Sequence, residues 1–205
     1  MAKVTTELSM SLDGFIAHPD DRIDHLFDWY FDGNVEVKTA DPRLVFHASE
    51  ASARHIRQGF RNCGCLVTGR RLFDHTNGWG GRHPVDAPVV VITHGNIPAE
   101  WIAKHPGAPF TFVPDGIESA IGKAKGIAGD KNVAVAGPSI VQQCINLGLM
   151  DEICVNLVPV LIGEGISFFG KLAKSPVKLE GPRIVAGDGV THRYFAVKRV
   201  WDPPA

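Results

Sequence analysis

The chain has 205 residues, 44% of them apolar and 21% charged, with a formal net charge of -1. That is enough for one sizeable domain with its own core, and the ordinary balance argues against disordered and fibrous classes. The near-neutral charge gives no reason to expect nucleic acid or an anionic membrane as partner.

The N-terminus, MAKVTTELSMSLDG, has no apolar signal-peptide core, and no apolar run approaches the roughly 20 residues of a membrane helix, so a cytoplasmic location is expected. Val4 to Met10 alternates as a strand and ends in Asp13-Gly14, where Asp13 could bond a substrate amide or cap its own turn. Residues Trp29 to Ala40 read as a surface excursion. Asp41-Pro42 predicts an N-cap followed by proline at the first helical position, opening a helix to about Phe60.

Cys65 to Thr68 is a short apolar strand, and Thr68-Gly69-Arg70-Arg71 turns it into a helix start. Free amides and arginine forks suit phosphate, above all the 2′-phosphate of NADP, although solvated arginines at a plain helix start fit the residues as well. Val89 to Thr93 (VVVIT) predicts a strand buried on both faces. Thr93-His94-Gly95-Asn96 follows where α/β sheets bind ligands, or is an ordinary turn.

Phe110 to Val113 is a weaker strand. Asp115-Gly-Ile-Glu118 reads as a capping box opening a helix to about Ala128. Val133 to Ala136 is a strand that ends at Gly137 and runs into a helix over Pro138 to Leu147, with Pro138 in its first turn and Ser139 free to reach a phosphate or cap the helix. Ile140, Val141, Cys144 and Leu147 form its stripe, and Gly148 stops it. Ile153 to Leu161 is a strand. After it, the loop around Gly163 could wall a ring pocket, with Phe168 and Phe169 as core anchors. Val177 to Val185 and Thr191 to Val200 predict a hairpin turning at Ala186-Gly-Asp-Gly189.

Alternating strands and helices imply a single α/β domain over residues 1–205, three layers deep, with a mostly parallel sheet and an antiparallel C-terminal hairpin. The cysteines Cys63, Cys65, Cys144 and Cys154 lack C-x-x-C spacing, and no H-E-x-x-H occurs, so reduced thiols and no metal are expected. G-x-G-x-x-G and the P-loop pattern are both absent.

The stretches SMSLDGFIA (9–17), LFDW (26–29), VTGRRLF (67–73), VVVITH (89–94), VAGPS (135–139) and GLMDEICVNLVPVLIGEGISFF (148–169) resemble the reductase domain of the riboflavin-biosynthesis deaminase-reductase and its stand-alone relatives, in the dihydrofolate-reductase-like superfamily. The resemblance implies NADPH held by Thr68, Gly69, Arg70 and Arg71 and by Ala136, Gly137, Pro138, Ser139 and Ile140, with Thr93 and His94 at its adenosine end. It implies a small-molecule substrate near Asp13, Gly14 and Gly163, and a homodimer. Reduction needs a proton, for which Asp13 and Asp28 are the candidates. Reduction of a phosphorylated ribosylaminopyrimidine is the first expectation. Pterin reduction and a non-catalytic NADP-binding module are the alternatives.

Overall fold

The computed structural model describes residues 2–173 and 175–198. Its strands, in chain order, are β1 (Val4–Ser11), β2 (Phe15–Ala17), β3 (Val35–Lys38), β4 (Val45–Ala48), β5 (Cys63–Gly69), β6 (Val89–Ile92), β7 (Phe110–Val113), β8 (Asn132–Ala136), β9 (Glu152–Val158), β10 (Ile166–Ser167), β11 (Leu179–Gly187) and β12 (Val190–Val197). Eight of them form one sheet in the order β11-β12-β9-β1-β8-β5-β6-β7. The six strands from β9 to β7 run parallel, and β12 and β11 close the edge antiparallel. All four residues of β6 are buried, as a continuous β-branched run in a parallel sheet requires.

The helices are α1 (Glu50–Asn62), α2 (Arg70–His75), α3 (Ala99–Lys104), α4 (Gly116–Ala128) and α5 (Pro138–Asn146). Val67, Val90, Val135 and Ile153 point to one face and pack with Ile117 and Ile121 of α4 and Ile140 and Val141 of α5. The alternate residues point the other way. There Leu66, Val89 and Val91 meet Phe73 of α2 and Trp101 of α3, while Val158 and Val190 meet Ala53 and Ile56 of α1. Each such buried Val or Ile contributes roughly 1.5–3 kcal/mol.

Asp41-Pro42 does not open a helix. The Asp41 carboxylate instead accepts from Arg43 N, Nε and Nη2, fixing a tight turn between β3 and β4. VEVK alternates with period two and pairs with VFHA, and that pairing prevails over the capping signal. The helix starts at Glu50, where Ser49 Oγ accepts from Ser52 N at 3.3 Å. Trp29 likewise belongs to no excursion. It lies within a 3-10 segment (Asp24–Tyr30), is 2% exposed, and donates its indole N–H to Ser9 Oγ at 3.0 Å. Asp115 sits at the N-cap of α4, but its side chain makes no capping bond. Leu147, expected on the buried stripe of α5, is 50% exposed just past its end. Arg199 and Val200 of the expected last strand lie outside the described residues.

Candidate active site

Neighbouring parallel strands bring the two glycine corners to one rim. Register pairs Thr68 with Ala136 and Gly69 with Ile92, so β8, β5 and β6 deliver Gly137, Gly69 and Thr93 side by side. Gly137 has φ +94°, and the space where a Cβ would stand is open. α5 starts there with Pro138 in its first turn and no side-chain cap. A helix start leaves its first amides without intrahelical partners. The Thr68 hydroxyl, one residue before the Gly69 corner, is buried and has no hydrogen-bond partner among the described residues. Such an orphan costs about 1–3 kcal/mol. An uncapped helix start on a rim that also carries an orphaned hydroxyl fits a phosphate-bearing dinucleotide.

The other rim residues divide into two groups. Arg70 donates from Nε to Asp74 Oδ1 and from Nη1 to Asn96 O, both at 2.7 Å, and so bridges the Gly69 corner to the loop after β6. His94 on that loop is exposed, and Gly95 N donates to Thr93 Oγ1 at 3.3 Å, which shapes the turn. Arg71 reaches away to Asp21 at 2.8 Å. Ser139 is exposed, and Ile140 is buried beneath the Gly69 corner.

Asp13, Gly14 and Gly163 come together over the ends of β1 and β9. The Asp13 carboxylate accepts from Ser11 Oγ, from Ile162 N at 3.1 Å and from Gly163 N at 2.7 Å. The Ser11 and Gly163 bonds hold its pKa below the usual carboxylate range. Asp28 is 62% exposed and paired with His25 Nδ1 at 2.7 Å. Neither acid lines the cleft described next.

Between α1 and α2, on the face away from α4 and α5, the sheet floors a cleft of about 340 Å³. Its apolar wall includes Leu66, Leu72, Ala134 and Ala136, so it adjoins the rim through Ala136. Trp79 stands at this wall with φ +49°, inside a left-handed turn from Asn77 to Gly80. An aromatic residue in that region stores about 1–3 kcal/mol of strain.

The opposite wall is polar. Glu7 Oε1 lies 2.7 Å from His55 Nε2 and accepts from Asn156 Nδ2 at 3.1 Å. His55 Nδ1 is hydrogen-bonded to the Tyr194 hydroxyl. Behind them His192 links Asn156 Oδ1 at 2.8 Å to Ser52 Oγ at 2.9 Å. Burial raises the Glu7 pKa, but the His55 charge and the bonds from His55 and Asn156 outweigh it, and the net shift is downward. Burial raises the Tyr194 phenol and pushes His192 down to about 3. Glu7, His55 and Cys154 bring potential metal-ligand atoms within 4.8 Å of one another, yet hydrogen bonds already occupy both His55 nitrogens. Sequence reasoning passed over this cluster. Its signal is polarity along one side of a strand: Thr5, Glu7 and Ser9 on β1, and Asn156 within CVNLV.

The family model for the RibD C-terminal domain matches residues 2–188. Among solved structures, a protein from Shewanella sp. PV-4 named for riboflavin biosynthesis superposes with a TM-score of 0.70 at 21% identity, over 97% of this chain and 99% of that one. The Thermotoga maritima diaminohydroxyphosphoribosylaminopyrimidine deaminase/5-amino-6-(5-phosphoribosylamino)uracil reductase gives 0.61 at 11%, over 96% of this chain and 57% of that one. This chain therefore spans little more than half of that deaminase/reductase. Enterococcus faecalis dihydrofolate reductase, solved with NADP(H), gives 0.56 at 14%, over 95% of each chain. These likenesses show the dihydrofolate-reductase-like α/β fold that the sequence predicts. No curated protein sequence matches the chain. From its sequence match and its fold, the chain belongs to the family of RibD C-terminal domains.

Proposed function

We propose that this chain is an NADPH-dependent reductase of a ribosylaminopyrimidine, the reaction class named for its family relatives in riboflavin biosynthesis. The observation that carries the reading is the shared rim: two glycine corners on adjacent parallel strands, an uncapped helix start and the unpartnered Thr68 hydroxyl, with Ala136 joining that rim to the cleft. In this reading the backbone at Gly69, Gly137, Ser139 and Ile140 holds the diphosphate, with Pro138 setting the helix start. Arg70 takes the 2′-phosphate beside Thr93 and His94, and Arg71, paired with Asp21, contributes to the same site only through its longer-range charge. Bound there, NADPH would supply the hydride.

The remaining work falls to side chains at the cleft. The Tyr194 hydroxyl, bonded to His55 and backed by Glu7, holds a proton where a reduced substrate can take it. Asp13 serves as a clamp on the Gly163 loop, which with Gly14 edges the substrate. Among the described residues no helix is long and apolar enough to cross a membrane. A cytoplasmic location and a small-molecule substrate belong to this proposal. A homodimer is part of the same reading.

Titration with NADPH, followed by nicotinamide fluorescence, tests the core of the proposal. Arg70→Ala should weaken NADPH at least ten-fold and NADH less than three-fold. Equal losses would remove the 2′-phosphate contact, and a wild-type protein that binds no NADPH would remove the reductase reading. Pterin reduction is the second reading, favoured by the Glu7 carboxylate in a partly apolar cleft, and dihydrofolate turnover separates the two.

A further inference from the structure

The charges around the cleft restrict what can enter it. Its lining holds two carboxylates, Glu7 and Glu152, one guanidinium, Arg183, two histidines, His55 and His83, and no lysine. Arg183 packs its guanidinium 3.5 Å over the Tyr194 ring. Both nitrogens of His55 are already engaged. Burial pushes the His83 pKa down to about 4, so that ring is neutral near pH 7. Glu152 pairs with Lys3 at 3.5 Å. The cations of the rim, Arg70 and Arg71, stand outside the lining.

Glu7 is the strongest feature of this wall. His55 and Asn156 share its Oε1, and the bonds from Asn156 through His192 to Ser52 fix that arrangement. Oε2 has no hydrogen-bond partner among the described residues, and the side chain is 35% exposed. A pinned carboxylate with one open oxygen accepts N–H donors well. It repels a phosphate monoester, which carries a charge of about -1.5 to -2 at pH 7. Phe27, Tyr30, Phe60 and Trp79 around the same cleft offer flat apolar surface to a ring.

We propose that the cleft takes an unphosphorylated nitrogen heterocycle, which presents N–H groups to Glu7 Oε2, and that it discriminates against the phosphate ester of the same compound. This deepens the reductase reading by naming the substrate class of that site. The binding claim itself does not require turnover.

Calorimetric titration of the full chain with 5-amino-6-ribosylaminouracil and with its 5′-phosphate, with and without NADPH, tests it. The unphosphorylated compound should bind at least ten-fold tighter, and the ratio should shrink as salt is raised. In Glu7→Gln, checked for an unchanged thermal midpoint, the parent should bind more weakly and the ester more tightly. A wild-type preference below ten-fold overturns the proposal, as does failure of both compounds to bind. Tighter binding of the ester, abolished by Arg183→Ala, overturns it and identifies the phosphate contact. The wild-type ratio decides the matter even if the variant fails to fold. NADPH binding, measured separately, judges the reductase reading on its own.

Discussion

Asp13 accepts from three donors and has little capacity left for a proton. Its folded pKa lies below the ordinary value, first through the Ser11 hydroxyl and then through Gly163 N. The ionised form is therefore favoured by folding. Its contribution is present above the unfolded pKa of 3.8 and lost as pH falls through the lower folded value. Asp13→Asn should lower the urea midpoint at pH 7 and flatten its decline below pH 4, and a variant as stable as wild type at pH 7 would show that the clamp contributes nothing. His192 is buried, and desolvation pushes it down to about 3, with His55 adding to the shift. Below pH 6.5 the unfolded chain binds a proton that the folded ring refuses, so stability falls with pH through that window. By pH 5 the loss should be on the order of 2 kcal/mol. His192→Gln should remove most of that slope in a pH series of denaturant melts, and an unchanged slope would assign the acid lability elsewhere.

At the level of elements, the start of α5 decides whether the rim can work. Gly137 at φ +94° and ψ 130° occupies a region closed to side chains, although open space surrounds it. Gly137→Ala should cost about 1–3 kcal/mol through backbone strain alone. For a domain of this size that lowers the thermal midpoint by several degrees, at about 2–4 °C per kcal/mol. NADPH affinity should fall with it, because relief of the strain moves the amides of α5. An alanine variant with wild-type midpoint and affinity would show that the corner tolerates another geometry. This element was legible in sequence because its signals are local: Val133 to Ala136 alternates, Pro138 opens the helix, and Gly148, at φ +66°, ends it. β6 was legible for the same reason. The helix expected from Asp41 does not form because two local rules conflict there, and the β3–β4 pairing decides between them. The polar wall was not legible at all. Glu7, His55, Asn156 and Tyr194 lie far apart in the chain and meet only when β1, β9, β12 and α1 assemble.

Across the whole molecule, the two faces of the sheet are unequally covered. α4 and α5 pack over the strands from β8 to β6, whereas over β9 and β12 the same face carries a groove of about 250 Å³. Met10, Leu157, Phe169, Leu179 and Phe195 line it, and Phe169 and Leu179 are each 36% exposed. Arg193, in the same groove, has a buried Nε without a hydrogen-bond partner among the described residues. An apolar patch that frames an unsatisfied donor suits a second protein surface, whose carbonyl or carboxylate can complete it. A second copy would meet that need through two-fold symmetry, provided the contact buries about 1,200–2,000 Å² in total. Sedimentation should therefore give twice the chain mass of 22.2 kDa. Phe169→Asp and Leu179→Arg alter partly exposed side chains and should leave the fold intact while shifting the dimer toward monomer at least ten-fold. A dimer that survives both changes uses another surface, and a wild-type monomer at high concentration would leave the Arg193 donor to solvent or to an internal partner.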